Sequence, residues 1–274
     1  CPVPTVVTIH DLAYFYYPDE FLKKDLYQLK NWTQYSIEKA RKIIAVSKNT
    51  KKDLMEWYHV PENKIEVIYN GYTQVNSHIR LGETKARRES KVKSKKPYIL
   101  YIGTLQPRKN ITALIDAFHL LLKEKPEYSL IIAGKKGWLY EKIFDQVKTL
   151  NLENKITFTG YVSDEEKVTL YTHASVFVLP SLYEGFGIPL LEAMNFGCPV
   201  ISSFTSSLPE IGGDACLYFD PKKPEELKEK MMEIIENKPL SQELIQKGKK
   251  RVQLYSWEKC GKQTLNSIRN TYEG

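Results

Sequence analysis

Short apolar runs alternate with longer stretches of helical spacing along most of this chain. Thr5 to Ile9 is an apolar run that reads as a strand, ending in the pair His10 and Asp11. The aromatic cluster Tyr14 to Tyr17, followed by Pro18, reads as a loop. From about Asp19 to Ala40 the spacing is helical, with Leu26, Leu29, Trp32 and Ile37 expected on one side. Lys42 to Ser47 reads as a second strand, and Ser47 suits the N-cap of a helix through Leu54 and Trp57. A third strand, Ile65 to Tyr69, ends at Asn70 and Gly71.

Residues 72 to about 96 lose this periodicity, and the basic run Lys85 to Lys96 reads as an exposed interdomain linker. Contact with an acidic membrane is the sharper reading of the same charges. The alternation resumes at Pro97. Strands are expected at Tyr98 to Gly103, Ser129 to Gly134, Ile156 to Gly160 and Val176 to Pro180, then two short ones at Pro199 to Ser203 and Cys216 to Phe219. Helices are expected from an Asn110 cap through Leu122, over Trp138 to Leu150, after a capping box at Ser163 and Glu166, and from Pro224 onward. Strands alternating with helices argue for an α/β fold with parallel sheets, in two domains, 1–96 and 97–274.

Composition narrows the class. A chain of 274 residues with 42% hydrophobic and 27% charged residues is an ordinary globular protein of one large or two modest domains. No apolar run approaches the ~20 residues that span a bilayer, and no signal-peptide pattern stands at the start. Residue 1 is Cys1 and a core strand follows at once, so the sequence is expected to begin inside a domain. Cys1, Cys198, Cys216 and Cys260 are scattered, which gives no zinc or redox signature and predicts reduced, mostly buried thiols. The net charge of +7 favours anionic partners such as a phosphorylated donor or an acidic membrane, with no nucleic-acid signature.

Two loops carry candidate chemistry. Ser181 to Met194 joins the Val176 strand to a helix through Glu184, Gly185, Phe186, Gly187, Ile188 and Pro189. A glycine-rich turn at a helix N-terminus is an anion site, because free N–H groups and the helix dipole both face it. Carboxylates repel phosphate, so Glu184 and Glu192 are expected to meet hydroxyls, and phosphate plus hydroxyls suggests a nucleotide-sugar. The second loop, Gly103 to Asn110, sets Arg108 and Lys109 just before a helix N-terminus, where the dipole disfavours cations. A diphosphate between them would resolve that conflict, with Arg gripping it by two bonds and Lys acting as a point charge. Gly103, Gly134 and Gly160 end three strands, where a ligand lies close in open α/β sheets.

The run Gly103 to Asn110, together with Glu184 to Met194, resembles the donor-binding half of a retaining glycosyltransferase, family 4, of the two-Rossmann-domain (GT-B) type. Ser207 to Ala215, Phe219 to Pro221, His10 with Asp11, and the strands ending at Ser47 and Gly71 resemble it too. The resemblance implies two facing Rossmann-like domains, the first incomplete, with the last helix crossing back to the first. It implies that Arg108 and Lys109 bind the donor diphosphate, and that Glu184 holds donor-sugar hydroxyls. The backbone of Phe186, Gly187 and Ile188 would meet sugar and phosphate, and Glu192 the ribose. The backbone of Tyr161 and Val162 would meet the base, and His10 the sugar from the opposite domain. It further implies no cofactor and no metal for the chemistry, a GDP- or UDP-linked donor with GDP-mannose favoured, and a glycan or lipid-linked acceptor. A cytoplasmic protein, peripheral at the inner membrane face, is expected.

Two other readings stay open. Glu184 and Glu192 could serve as acid and base of a glycoside hydrolase, which needs carboxylates ~5–9.5 Å apart and no diphosphate cradle. A domain that binds nucleotide-sugar without turnover is the other.

Overall fold

In the first half of the chain, three apolar runs pair as parallel strands. The computed structural model describes residues 3–72 and 97–273; the basic run expected to be a linker lies outside them. Strands β1 (Val6–Ile9), β2 (Lys42–Ala45) and β3 (Ile65–Val67) form a sheet in the order β1-β2-β3. The register sets Val7 beside Ile43 and Ile43 beside Ile65. Between them run α1 (Ala13–Tyr16), α2 (Lys23–Lys39) and α3 (Lys48–Tyr58). Ser47 caps α3 as its sequence suggests, its Oγ accepting the Thr50 N–H at 3.0 Å.

The expected helix from Asp19 is two pieces. Pro18–Glu20 is a single 3-10 turn, Phe21 and Leu22 are extended, and α2 starts at Lys23. Its apolar stripe is also narrower than expected. Ile37 is buried and Leu26 packs beside it, but Leu29 and Trp32 are 36% and 64% exposed. Ile37 follows Leu26 by about three whole turns, whereas Trp32 follows it by about one and two-thirds and so points away. The Tyr14 to Tyr17 cluster is not a loop but mostly α1, and Tyr14 is buried with its hydroxyl 3.0 Å from that of Tyr58.

The second sheet has strands β4 (Tyr98–Ile102), β5 (Ser129–Ala133), β6 (Ile156–Gly160), β7 (Val176–Leu179), β8 (Val200–Ser203) and β9 (Cys216–Phe219). All pairs are parallel, in the order β6-β5-β4-β7-β8-β9. Every residue of β4, β7 and β8 is buried, which is why these strands read as unbroken apolar runs. Helices α4 (Ile111–Leu121), α5 (Glu141–Thr149), α6 (Asp164–His173), α7 (Ile188–Asn195), α8 (Leu208–Gly212), α9 (Pro224–Glu236) and α10 (Lys238–Arg251) connect and cover them. The capping box of α6 is complete, with Ser163 and Glu166 each bonded to the other's backbone. Asn110 differs from expectation: it lies at the start of α4 with φ 53°, and its Nδ2 donates to the Pro221 carbonyl instead of capping the helix. The helix expected from Trp138 begins at Glu141, because Leu139 takes φ 53° and breaks it.

The first strand of this sheet, β4, lies in its middle. The chain winds outward to β6, then returns to β7 on the other side of β4. β4 and β7 are thus the neighbouring strands at which the winding reverses, where open α/β sheets hold ligands in a crevice at the strands' carboxyl ends. The last helix, α11 (Trp257–Glu273), packs against β1 and β2 of the first sheet. Where it starts, the chain crosses Gly71 so closely that a Cβ there would lie 2.1 Å from the Trp257 nitrogen. Among the described residues no helix is long and apolar enough to cross a membrane.

Candidate functional site

The crevice between β4 and β7 brings the two informative loops together. Arg108 and Lys109 form a 3-10 turn after β4, and the Arg108 carbonyl accepts the Leu182 N–H of the β7 loop at 2.8 Å. Arg108 Nη1 donates to the Tyr183 carbonyl at 2.6 Å. Lys109 Nζ donates to Glu184 Oε1 at 2.5 Å, and the Ser181 hydroxyl donates to the same oxygen at 2.6 Å. Arg108 Nη1 lies 3.8 Å from Glu184 Oε2. All three charged side chains are largely buried, at 12%, 16% and 12% exposure for Arg108, Lys109 and Glu184.

Burial acts to raise the Glu184 pKa, but Lys109, Arg108 and the bonds from Lys109 and Ser181 outweigh it and hold the carboxyl below its ordinary value. The cluster is thus two cations around one ionised carboxylate. The carboxylate's charge is matched within the cluster, and one positive charge remains. Below it, burial raises the Tyr101 hydroxyl far above its usual range, so it stays protonated and donates to the Thr104 carbonyl.

The backbone of the β7 loop is held by serine side chains of the segment after β8. The Glu184 N–H donates to Ser206 Oγ at 2.9 Å, and the Ser207 hydroxyl donates to the Glu184 and Phe186 carbonyls at 2.8 and 3.1 Å. Phe186 is buried against Tyr69 and Tyr255. Gly187 takes φ 102°, open to glycine, and starts α7 with Pro189 in the first turn; no side chain among the described residues caps it. Pro189 carries no N–H and the Leu190 N–H donates to the Gly187 carbonyl at 3.0 Å, so the Ile188 N–H is the donor that this first turn offers an anion. Glu192, one turn on, accepts the Tyr171 hydroxyl at 3.1 Å and lies 3.8 Å from Lys167 Nζ.

At the other strand ends, Gly134 takes φ 148° and a Cβ there would fall 1.9 Å from the Gly103 carbonyl oxygen. That glycine answers to close strand packing before any ligand. Gly160 has φ 72° and open space where a Cβ would stand. Tyr161 after it is 70% exposed with Lys135 Nζ 4.9 Å from its ring centre, while Val162 is buried.

The first domain closes over this loop. His10, exposed at the end of β1, lies at the turn after Glu184, its carbonyl oxygen against Gly185. Tyr183 donates to Asp53 Oδ2, Tyr17 to the Leu182 carbonyl, and Thr50 to the Gly185 carbonyl. Glu210 accepts the Lys48 and Asn49 N–H groups at the start of α3 and the Tyr69 hydroxyl. Beside it a cavity of about 700 Å³ opens between the domains, lined by Lys48, Lys52, Arg251 and Lys259 among others. Sequence reasoning singled out none of Asp53, Tyr183, Ser206 or Glu210 for a role. Their partners lie far away in the chain, and no local spacing marks them.

The family model for glycosyl transferases group 1 matches residues 82–251, and that for Glycosyltransferase Family 4 matches residues 1–73. The O-antigen chain mannosyltransferase B of Escherichia coli is 31% identical over 265 residues, covering 96% of this chain and 70% of that protein. The O-antigen chain mannosyltransferase RfbU of Salmonella typhimurium is 31% identical over 220 residues, covering 78% of this chain and 56% of that protein. Among solved structures, sucrose-phosphate synthase from Thermosynechococcus elongatus superimposes with a TM-score of 0.80 at 25% identity, covering 98% of this chain and 68% of that one. The fold is therefore GT-B, with a small first sheet.

Proposed function

Because the chain belongs to the glycosyl transferases group 1 family, we propose that it is a retaining hexosyltransferase that moves mannose from GDP-mannose to a glycan or lipid-linked acceptor. The observation that carries this reading is the buried Arg108, Lys109 and Glu184 cluster at the mouth of the crevice, beside the uncapped start of α7. The mannosyltransferase relatives favour mannose, and a UDP-sugar is the competing donor.

On donor binding, a diphosphate oxygen takes the Lys109 bond now made to Glu184 Oε1. That frees a Glu184 oxygen to accept hydroxyls of the donor sugar. As the bond from sugar to diphosphate breaks, its electron pair moves to the phosphate oxygen. Arg108 and Lys109 stabilise the growing charge there, where burial makes each cation count for more. Retention puts the acceptor oxygen on the face the diphosphate leaves, so the departing phosphate oxygen is the nearest base for the acceptor proton. Glu192 holds the ribose, the backbone at Tyr161 and Val162 meets the base, and His10 meets the sugar from the facing domain. No step is assigned to a metal, and EDTA is expected to leave turnover unchanged. The net charge of +7 suits a peripheral site on an acidic membrane face.

The test is a thermal-shift panel of GDP, UDP, ADP and their sugar conjugates. A ligand at about 100 times its Kd stabilises by about 2.7 kcal/mol. A response to GDP and GDP-mannose alone supports the reading, a response to UDP alone moves the donor to a UDP-sugar, and silence throughout removes it. An inverted product anomer would remove the retaining mechanism.

A further inference from the structure

We propose that Asp53 of the first domain is a positioning residue for Glu184, acting through the Tyr183 hydroxyl. The inference rests on the transferase reading above and adds a residue to it. Asp53 lies on α3 and is 2% exposed. Its Oδ2 accepts the Tyr183 hydroxyl at 2.5 Å and Asn49 Nδ2 at 2.9 Å, and its Oδ1 accepts the Tyr16 hydroxyl at 2.8 Å. A carboxylate so deeply buried is tolerated only when donors replace its water, and one of its three comes from the other domain.

Tyr183 is itself 4% exposed and immediately precedes Glu184. Burial and then the nearby Asp53 keep its hydroxyl protonated and donating. Its carbonyl accepts Arg108 Nη1 at 2.6 Å. One residue thus ties α3 of the first domain at its side chain to the catalytic-loop cation at its backbone. Thr50, one turn before Asp53, donates to the Gly185 carbonyl at 3.4 Å from the same helix. Moving the domains apart strips these bonds from the residues flanking Glu184 on both sides. The position of Glu184 is therefore completed by domain closure, the state that also keeps water from the donor. Of the groups assigned to the nucleotide, Glu192 and the backbone at Tyr161 lie on the second domain away from Asp53, and Arg108 is bonded to the Tyr183 backbone, which Tyr183→Phe leaves in place.

The experiment compares the protein with its Tyr183→Phe, Asp53→Asn and doubly substituted forms. Tyr183→Phe removes one oxygen and leaves the ring packing. It is expected to keep GDP affinity, lower kcat about tenfold, as loss of one strong hydrogen bond does, and raise donor hydrolysis relative to transfer. The double variant is expected to be no worse than the poorer single one, because the two groups act as a unit. Hydrogen exchange of the amides from Ser181 to Phe186 is expected to quicken in both single variants. This readout needs no turnover. If the unaltered protein transfers from no nucleotide-sugar, the transferase reading falls, and the exchange data still decide whether Asp53 holds the loop. Unchanged exchange with unchanged kcat in Tyr183→Phe overturns the proposal. So do additive effects of the two substitutions, or a loss of GDP affinity as large as the loss of kcat.

Discussion

The His10 carbonyl oxygen and the Gly185 α-carbon meet so closely that a Cβ on Gly185 would stand 1.9 Å from that oxygen. They belong to different domains, and the contact sets His10 over the loop that carries Glu184. Gly185→Ala is expected to force the domains apart at this point. Nucleotide binding should survive, while turnover falls about a hundredfold, as misplacement by an ångström can cost. Small-angle scattering with steady-state kinetics checks both. Wild-type turnover in this variant would mean that the domains do not meet here during catalysis.

Arg108→Ala and Lys109→Ala are expected to differ in kind from Glu184→Gln. Each cation removed should raise the donor Kd and cut kcat, by about 10²–10³ if it meets charge that grows in the transition state. Glu184→Gln should abolish transfer yet leave GDP binding near normal, because Glu184 is assigned to the sugar. Calorimetric titration with GDP beside kinetics separates the two. Unchanged kinetics in Arg108→Ala would remove the diphosphate assignment.

The Glu184 pKa gives a sign for stability against pH. Its folded value lies below the ordinary 4.5, so its ionised form is favoured by folding. That contribution is present above pH 4.5 and lost as pH falls from there through the folded value. The stability gap between the protein and its Glu184→Gln form should therefore be widest near neutral pH and narrow below pH 4.5. Urea denaturation at a series of pH values measures it, and a gap that widens on acidification would contradict the charge pairing.

Glu210 caps a helix of the other domain, its carboxylate accepting the Lys48 N–H at 2.8 and 3.0 Å. Glu210→Ala should cost about 1 kcal/mol, the usual size of a lost N-cap, and lower Tm by about 2–4 °C. Scanning calorimetry reads this, and an unchanged Tm would show that water replaces the cap without loss.

The thiols should separate by access. Burial pushes the Cys216 thiol up to about 12 and Cys198 higher still, whereas Cys260 is half-buried. Among these three, iodoacetamide should label Cys260 first in the native protein, as mass mapping will show. Prior labelling of Cys198 would place that strand end nearer solvent than found here.

Local features were legible because their causes are local. Ser47 and the Ser163 with Glu166 pair bond to backbone three residues away, so their type and spacing were enough. The buried strands of the second sheet were plain as unbroken apolar runs. Asn110 misled because its side chain turns to Pro221, a partner 111 residues on. Trp32 misled because an apolar residue still faces water when it is about one-third of a turn out of phase with the buried stripe.

The sequence by itself determined the α/β alternation, the two glycine-rich and basic loops, and through them the family. Those are properties of short segments, written in period, charge and residue type. The tertiary structure alone decided that Lys109 neutralises Glu184, that Gly134 serves strand packing, and that Asp53, Tyr183 and Glu210 join the domains. Each of these depends on which strand lies beside which. Strand order is set by the packing of whole layers, and no segment of the chain carries it.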